Sequence, residues 1–240
     1  MSHAHVQTVS VTNTGTGLNT IVTASITSTT GNQLVAGAKW EVTGSTLSTV
    51  SDGTNSHTIE ATQIHSNTVL HGTISHKGNI TGVTGAITFT FTGLPNWQQC
   101  SVSEYSGMTA ASNNLDQYIT GTGTSTSPAS GNVTTTQADE VCYCLVGCNI
   151  AVTFSALTIN SVTATARNTG DDTTMFDTLP TATFGPAGAA CTIGSAGWIC
   201  ALATFKAAAG GPSAGTDTAT AGLTESLNTV SVTLSIQESG

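Results

Sequence analysis

The chain has 240 residues, with four Lys and Arg against 13 Asp and Glu, for a formal net charge of −9. Four cations, Lys39, Lys77, Arg167 and Lys206, cannot build the basic patch that nucleic-acid phosphates or an anionic membrane surface require, which excludes both as partners. Charged residues are 7% of the chain, where a soluble domain carries about 25%. Threonine covers the surface instead: its 48 residues are one in five, a composition that suits strands and turns over helices.

In chain order, short stretches alternate apolar residues with Thr or Ser, the period of a half-buried strand. They run through Val9 and Val11, 21–26, 34–42, 69–74, 87–91, 102–105, 141–146, 152–157, 159–166 and 198–205. Turn chemistry separates them at Ser51–Asn55, Gly93–Asn96, Ser112–Asn114, Ser127–Pro128, Asn168–Asp172 and Gly185–Gly188. More than ten strands at this spacing predict an all-β protein, an antiparallel two-layer β-sandwich of jelly-roll type, over residues 1–206. Thr on the outer face of each strand keeps such a sandwich in solution with little charge.

Residues 207–226 are rich in Gly, Ala, Ser and Thr, and read as a flexible linker. A strong strand pattern then returns within 227–240, with Leu227, Val230, Val232, Leu234 and Ile236 as its apolar positions. A lone strand is not stable in water, so this one is expected to dock on a sheet edge, in its own chain or in a neighbouring subunit. No apolar run approaches the roughly 18 residues needed to cross a bilayer. The opening Met1–Val6 has neither the basic nor the apolar region of an export signal.

The run Val102-Ser103-Glu104-Tyr105-Ser106-Gly107, then Leu115-Asp116, Gly131 to Glu140 and Trp198 to Lys206, resembles Thr/Ser-rich β-sandwich proteins encoded in many bacterial and bacteriophage genomes. In those proteins an E-[YW]-S-G-like strand end, a T-T-x-A-x-E-like strand entry and a closing A-[AT]-F strand follow in this order. The resemblance spans residues 6 to 206. It implies a sandwich and an extracellular or virion setting, and it implies no activity.

Candidate chemistry is sparse. The six cysteines, Cys100, Cys142, Cys144, Cys148, Cys191 and Cys200, suit buried thiols, a disulfide or a metal site. For a disulfide, Cys191 and Cys200 are the candidates, because they flank a predicted hairpin over 192–197. His3 and His5, His57, His65, His71 and His76 could bind metal, and Asp171, Asp172 and Asp177, or Asp52 with Asn55, could hold calcium. Terminal histidines and loop acids are more often solvated or turn-forming, so no metal and no cofactor is expected. Nucleophile elbows, zinc helices and phosphate loops are missing from the sequence, and the carboxylates available for glycoside hydrolysis reduce to Glu41, Glu60 and Glu104.

The expectation is therefore a non-enzymatic structural protein that assembles into homo-oligomers, a bacteriophage virion component such as a decoration, fibre or tail protein, alone or with other virion proteins. The alternatives are a secreted carbohydrate-binding module or adhesin, or a surface-filament subunit joined by strand donation. For the first of these, Trp97 is the candidate platform for a glycan, since it follows Leu94-Pro95-Asn96 at a loop, while Trp40 and Trp198 sit in apolar alternation. Tyr105, Tyr118 and Tyr143 are its candidate companions.

Overall fold

A computed structural model describes residues 3–208 apart from 16, 43 and 66–68. Leu227, Val230, Val232, Leu234 and Ile236 therefore lie outside the described residues, as does nearly all of the linker. The described residues contain strands and no helix. In the N-terminal half these are β1 (Ala4–Asn13), β2 (Thr20–Thr27), β3 (Gln33–Glu41), β4 (Thr46–Ser51), β5 (Thr58–Ile59), β6 (Gln63–Ile64), β7 (Leu70–Lys77), β8 (Thr84–Thr92) and β9 (Asn96–Ser106). The C-terminal half holds β10 (Leu115–Ser125), β11 (Glu140–Cys148), β12 (Ser155–Ile159), β13 (Val162–Thr163), β14 (Thr165–Thr169), β15 (Thr173–Thr178), β16 (Ala189–Thr192) and β17 (Ala196–Lys206).

All ladders are antiparallel, as expected, but the sandwich is built twice. The first half pairs an inner sheet, β1-β9-β3-β7 with β5 and β6 along β7, against an outer sheet, β2-β8-β4. The second half repeats the plan: β10-β17-β11-β15-β14 inside, β16 and β12 outside, with β13 added to β12. Bridges Ala129↔Ala190 and Val133↔Ala187 put the segment 129–133 where β2 stands in the first half. Each half has the strand order of a jelly roll, except that its fifth strand pairs at the edge of the inner sheet.

Three cores stack between four layers. Leu34, Ala36, Ala38 and Trp40 of β3 meet Ile87, Phe89 and Phe91 of β8 in the first sandwich. Cys142, Cys144 and Val146 of β11 meet Ile159 and Cys191 in the second. Between the halves, Val35, Ile74 and Tyr105 pack on Tyr143, Leu145, Met175 and Phe205. The two inner sheets are thus buried on both faces, which is why β3, β9, β11 and β17 carry Ala, Ser, Gly and Cys in place of an outward threonine face. Close approach demands this: a Cβ on Gly37 would sit 3.0 Å from the Met175 side chain.

The halves match residue by residue. On β3 and β9, Ala36 faces Val102 and Ala38 faces Cys100, as on β11 and β17 Cys144 faces Leu202 and Val146 faces Cys200. The same register makes Tyr105 the counterpart of Phe205 and His76 the counterpart of Asp177. Across the middle layer Tyr105 donates its hydroxyl proton to Asp177 at 2.5 Å, while the His76 ring packs on Phe205 with centroids 5.0 Å apart. Each polar member also holds a partner from near its own fifth strand, Glu60 at 2.9 Å for His76 and Arg167 at 2.8 Å for Asp177. The two inner sheets are related by a near-twofold exchange, with residue types substituted and geometry retained.

Candidate functional site

The halves differ most at the start of β9. Lys39 faces Gln99, yet Glu41 faces Asn96, so Trp97 and Gln98 together stand opposite Trp40. This extra residue is a β-bulge, a device that re-aims a side chain at a sheet end. Trp97 takes up the irregularity with φ +49°, a left-handed conformation uncommon for a bulky residue. Its indole is turned outward and is 46% exposed, whereas Trp40 is fully buried and donates Nε1–H to the Ser45 carbonyl at 3.1 Å. In the second half Cys148 faces Trp198 without a bulge, and Gly197 occupies the place of Trp97.

Beside Trp97 opens a cleft of about 360 Å³, lined among others by Glu41, Gln99, Ile150, Asp171 and Asp172. Glu41 closes β3, Asp171 and Asp172 form the turn between β14 and β15, and Ile150 follows β11, so both halves contribute. The Lys39 ammonium, fully buried, donates to Glu41 Oε1 at 2.8 Å and to Asp172 Oδ2 at 2.6 Å. A buried charge must be paired, and this one ties the carboxylates of both halves together. Both acids are held in place by this one ammonium. Asp171 is exposed and its carboxylate has no ion-pair partner among the described residues. Gln99 is nearly buried at the floor, and its Oε1 makes no hydrogen bond. Gly170 leaves the room for that amide, since a Cβ there would lie 2.5 Å from it.

Around the cleft this end of the molecule concentrates exposed apolar side chains. Leu18, Val69, Leu94 and Ile150, on connections, and Trp97, at the start of β9, lie at the end of the inner sheets where β3 and β11 finish. Isolated surface apolar residues need no explanation, but a group of them around a cleft marks an interaction site.

Other residues singled out from sequence serve elsewhere. Tyr105 and Tyr143 are fully buried in the middle layer, and Tyr118 donates to the Ala61 carbonyl, so none accompanies Trp97. The expected hairpin between Cys191 and Cys200 does not form, because β16 pairs with β12 in the outer sheet while β17 lies in the inner one. All six cysteines are buried thiols, and the near neighbour of Cys200 is Cys144, with sulfurs 3.6 Å apart. Burial pushes the Cys148 and Cys191 thiols up to about 12, which keeps them protonated and unreactive. Asp52 accepts from the Thr54 and Asn55 amides and so builds its own turn. Among the described residues no three His, Cys, Asp or Glu side chains gather as a metal site. Glu41, Asp171 and Asp172 were legible only as separate candidates; what sequence could not supply is that a strand end of one half and a turn of the other bring them to Trp97.

Comparison with models of protein families, with curated proteins and with solved structures finds no match to this chain.

Proposed function

We propose that the protein is a non-enzymatic recognition protein that binds a glycan at the Trp97 cleft, displayed on a virion or a cell surface. The observation that carries this reading is the outward Trp97, raised by a bulge beside a cleft whose polar lining is three acids, Gln99, Asn149 and Thr14. Sugar rings present apolar C–H faces and a rim of hydroxyls, and an aromatic face with nearby acceptors complements both. The Lys39 bridge holds Glu41 and Asp172 together and leaves Asp171 as the one cleft acid outside an ion pair, whereas hydrolysis of a glycosidic bond needs two carboxyls flanking it, so the arrangement supports binding over catalysis.

Glycan-array screening of the full chain, followed by titration of tryptophan fluorescence with the best ligand, tests it. Trp97→Ala is expected to reduce affinity by at least about tenfold, the loss of roughly 1.4 kcal/mol of ring contact. No glycan signal on the array, or an affinity indifferent to Trp97→Ala, rules the reading out.

A further inference from the structure

Charge narrows what the cleft can accept. Glu41, Asp171 and Asp172 surround it, and Lys39 alone of the four cations reaches it. Arg167 is taken by Asp177 and Lys206 by Asp116, while Lys77 lies opposite Leu34 at the other end of β3. Lys39 cancels one of the three negative charges, so a ligand seated on Trp97 meets a surplus of two. One of the two rests on Asp171, whose carboxylate is exposed and unpaired, and the other is shared by Glu41 and Asp172, which both face the buried ammonium. Close by, Gln99 Oε1 is a buried acceptor with no donor. The charged groups named here that face the cleft without a partner are acceptors, and they repel anions.

We infer that the cleft selects a sugar carrying a protonated amine, a 2-amino-2-deoxyhexose unit, with its ring on Trp97 and its ammonium on Asp171. This rests on the glycan reading above and adds the chemical class of the glycan. Uronic and sialic acids, which bring a carboxylate, are excluded by the same charges. An N-acetylated unit keeps the ring contact and forfeits the ion pair.

The test compares a tetrasaccharide of β-1,4-linked glucosamine with its fully N-acetylated form, titrated against the full chain at pH 6 by calorimetry. In 50 mM salt the amine form is expected to bind about tenfold tighter, an advantage that shrinks to about twofold at 0.5 M salt because the contact is exposed and screened. Asp171→Asn should bring the two ligands within about twofold of each other, chiefly by weakening the amine form. Trp97→Ala should lose both. Equal or tighter binding of the acetylated form overturns the amine selectivity and leaves the glycan reading standing. Amine binding that survives Trp97→Ala overturns it as well, because the attraction is then the diffuse field of a chain of net charge −9. Absence of binding to both, with a silent glycan array, removes the underlying reading too.

Discussion

Glu140 shows how much a single buried group can set. It opens β11, its side chain is fully buried, and neither carboxylate oxygen makes a hydrogen bond. Burial pushes the carboxyl up to about 8, and the negative charge of Asp116 adds to the rise. An unfolded chain releases this proton near 4.5, so between about 4.5 and 8 the folded state holds a proton that the unfolded state has lost. Stability from this residue is therefore complete below 4.5, declines as pH rises through that window and is flat above it. Glu140→Gln should flatten the decline and stabilise the protein at pH 8 by on the order of 1 kcal/mol, about 2–4 °C in Tm for a chain of this size. Thermal melts of both forms from pH 4 to 9 check this, and an unchanged slope would refute it. Its counterpart by register is Asn32, which donates to Glu104 at 2.7 Å, while the counterpart of Glu104 is Thr204, so the acid stands on β9 in the first half and on β11 in the second.

At the scale of elements, the alternating apolar and Thr stretches located most strands, because one buried face imposes a period of two. Three failures have physical causes. The run 159–166 is broken by a tight turn in which Asn160 and Ser161 both adopt positive φ, which no apolar pattern announces. β10 was hidden because its inward positions after Ile119 include Gly121 and Gly123, which carry no apolar signal. The continuous small-residue runs of β3, β11 and β17 signal burial on both faces, a signal that a two-layer expectation has no use for. The bulge at Trp97 was also illegible, since it is set by the register against β3. Gly121 illustrates why a strand can need a glycine: a Cβ there would sit 2.1 Å from the Ala129 carbonyl oxygen of the segment that completes the outer sheet. Gly121→Ala should cost about 1–3 kcal/mol as main chain is forced apart. Urea denaturation measures it, and a neutral result would mean that 129–133 is not held against β10.

For the whole molecule, an all-β sandwich was readable from composition and periodicity, whereas its doubling was not. The two halves share a strand order, not a sequence: Tyr105 answers Phe205, His76 answers Asp177, and Ala36 answers Cys144. Such pairs are recognisable only once register aligns them. The assembly expectation, resting on Leu227, Val230, Val232, Leu234 and Ile236, belongs to this scale as a proposal. Light-scattering mass after size exclusion, for the full chain and for one ending at Gly215, tests it. A multimer that falls to a monomer on truncation is the expected result if this segment joins subunits; one mass for both forms would set the segment aside.

The bulge exists in one half only, and that asymmetry fixes a valency. Two near-equivalent sandwiches could have presented two binding faces, but Gly197 stands where the second Trp97 would be, so among the described residues the Trp97 cleft has no twin in the other half. Weak single contacts become tight attachment only when several are engaged at once. If the Trp97 cleft is the binding site proposed above, the number of simultaneous contacts follows the number of chains brought together, and the grip on a surface would rise with subunit count.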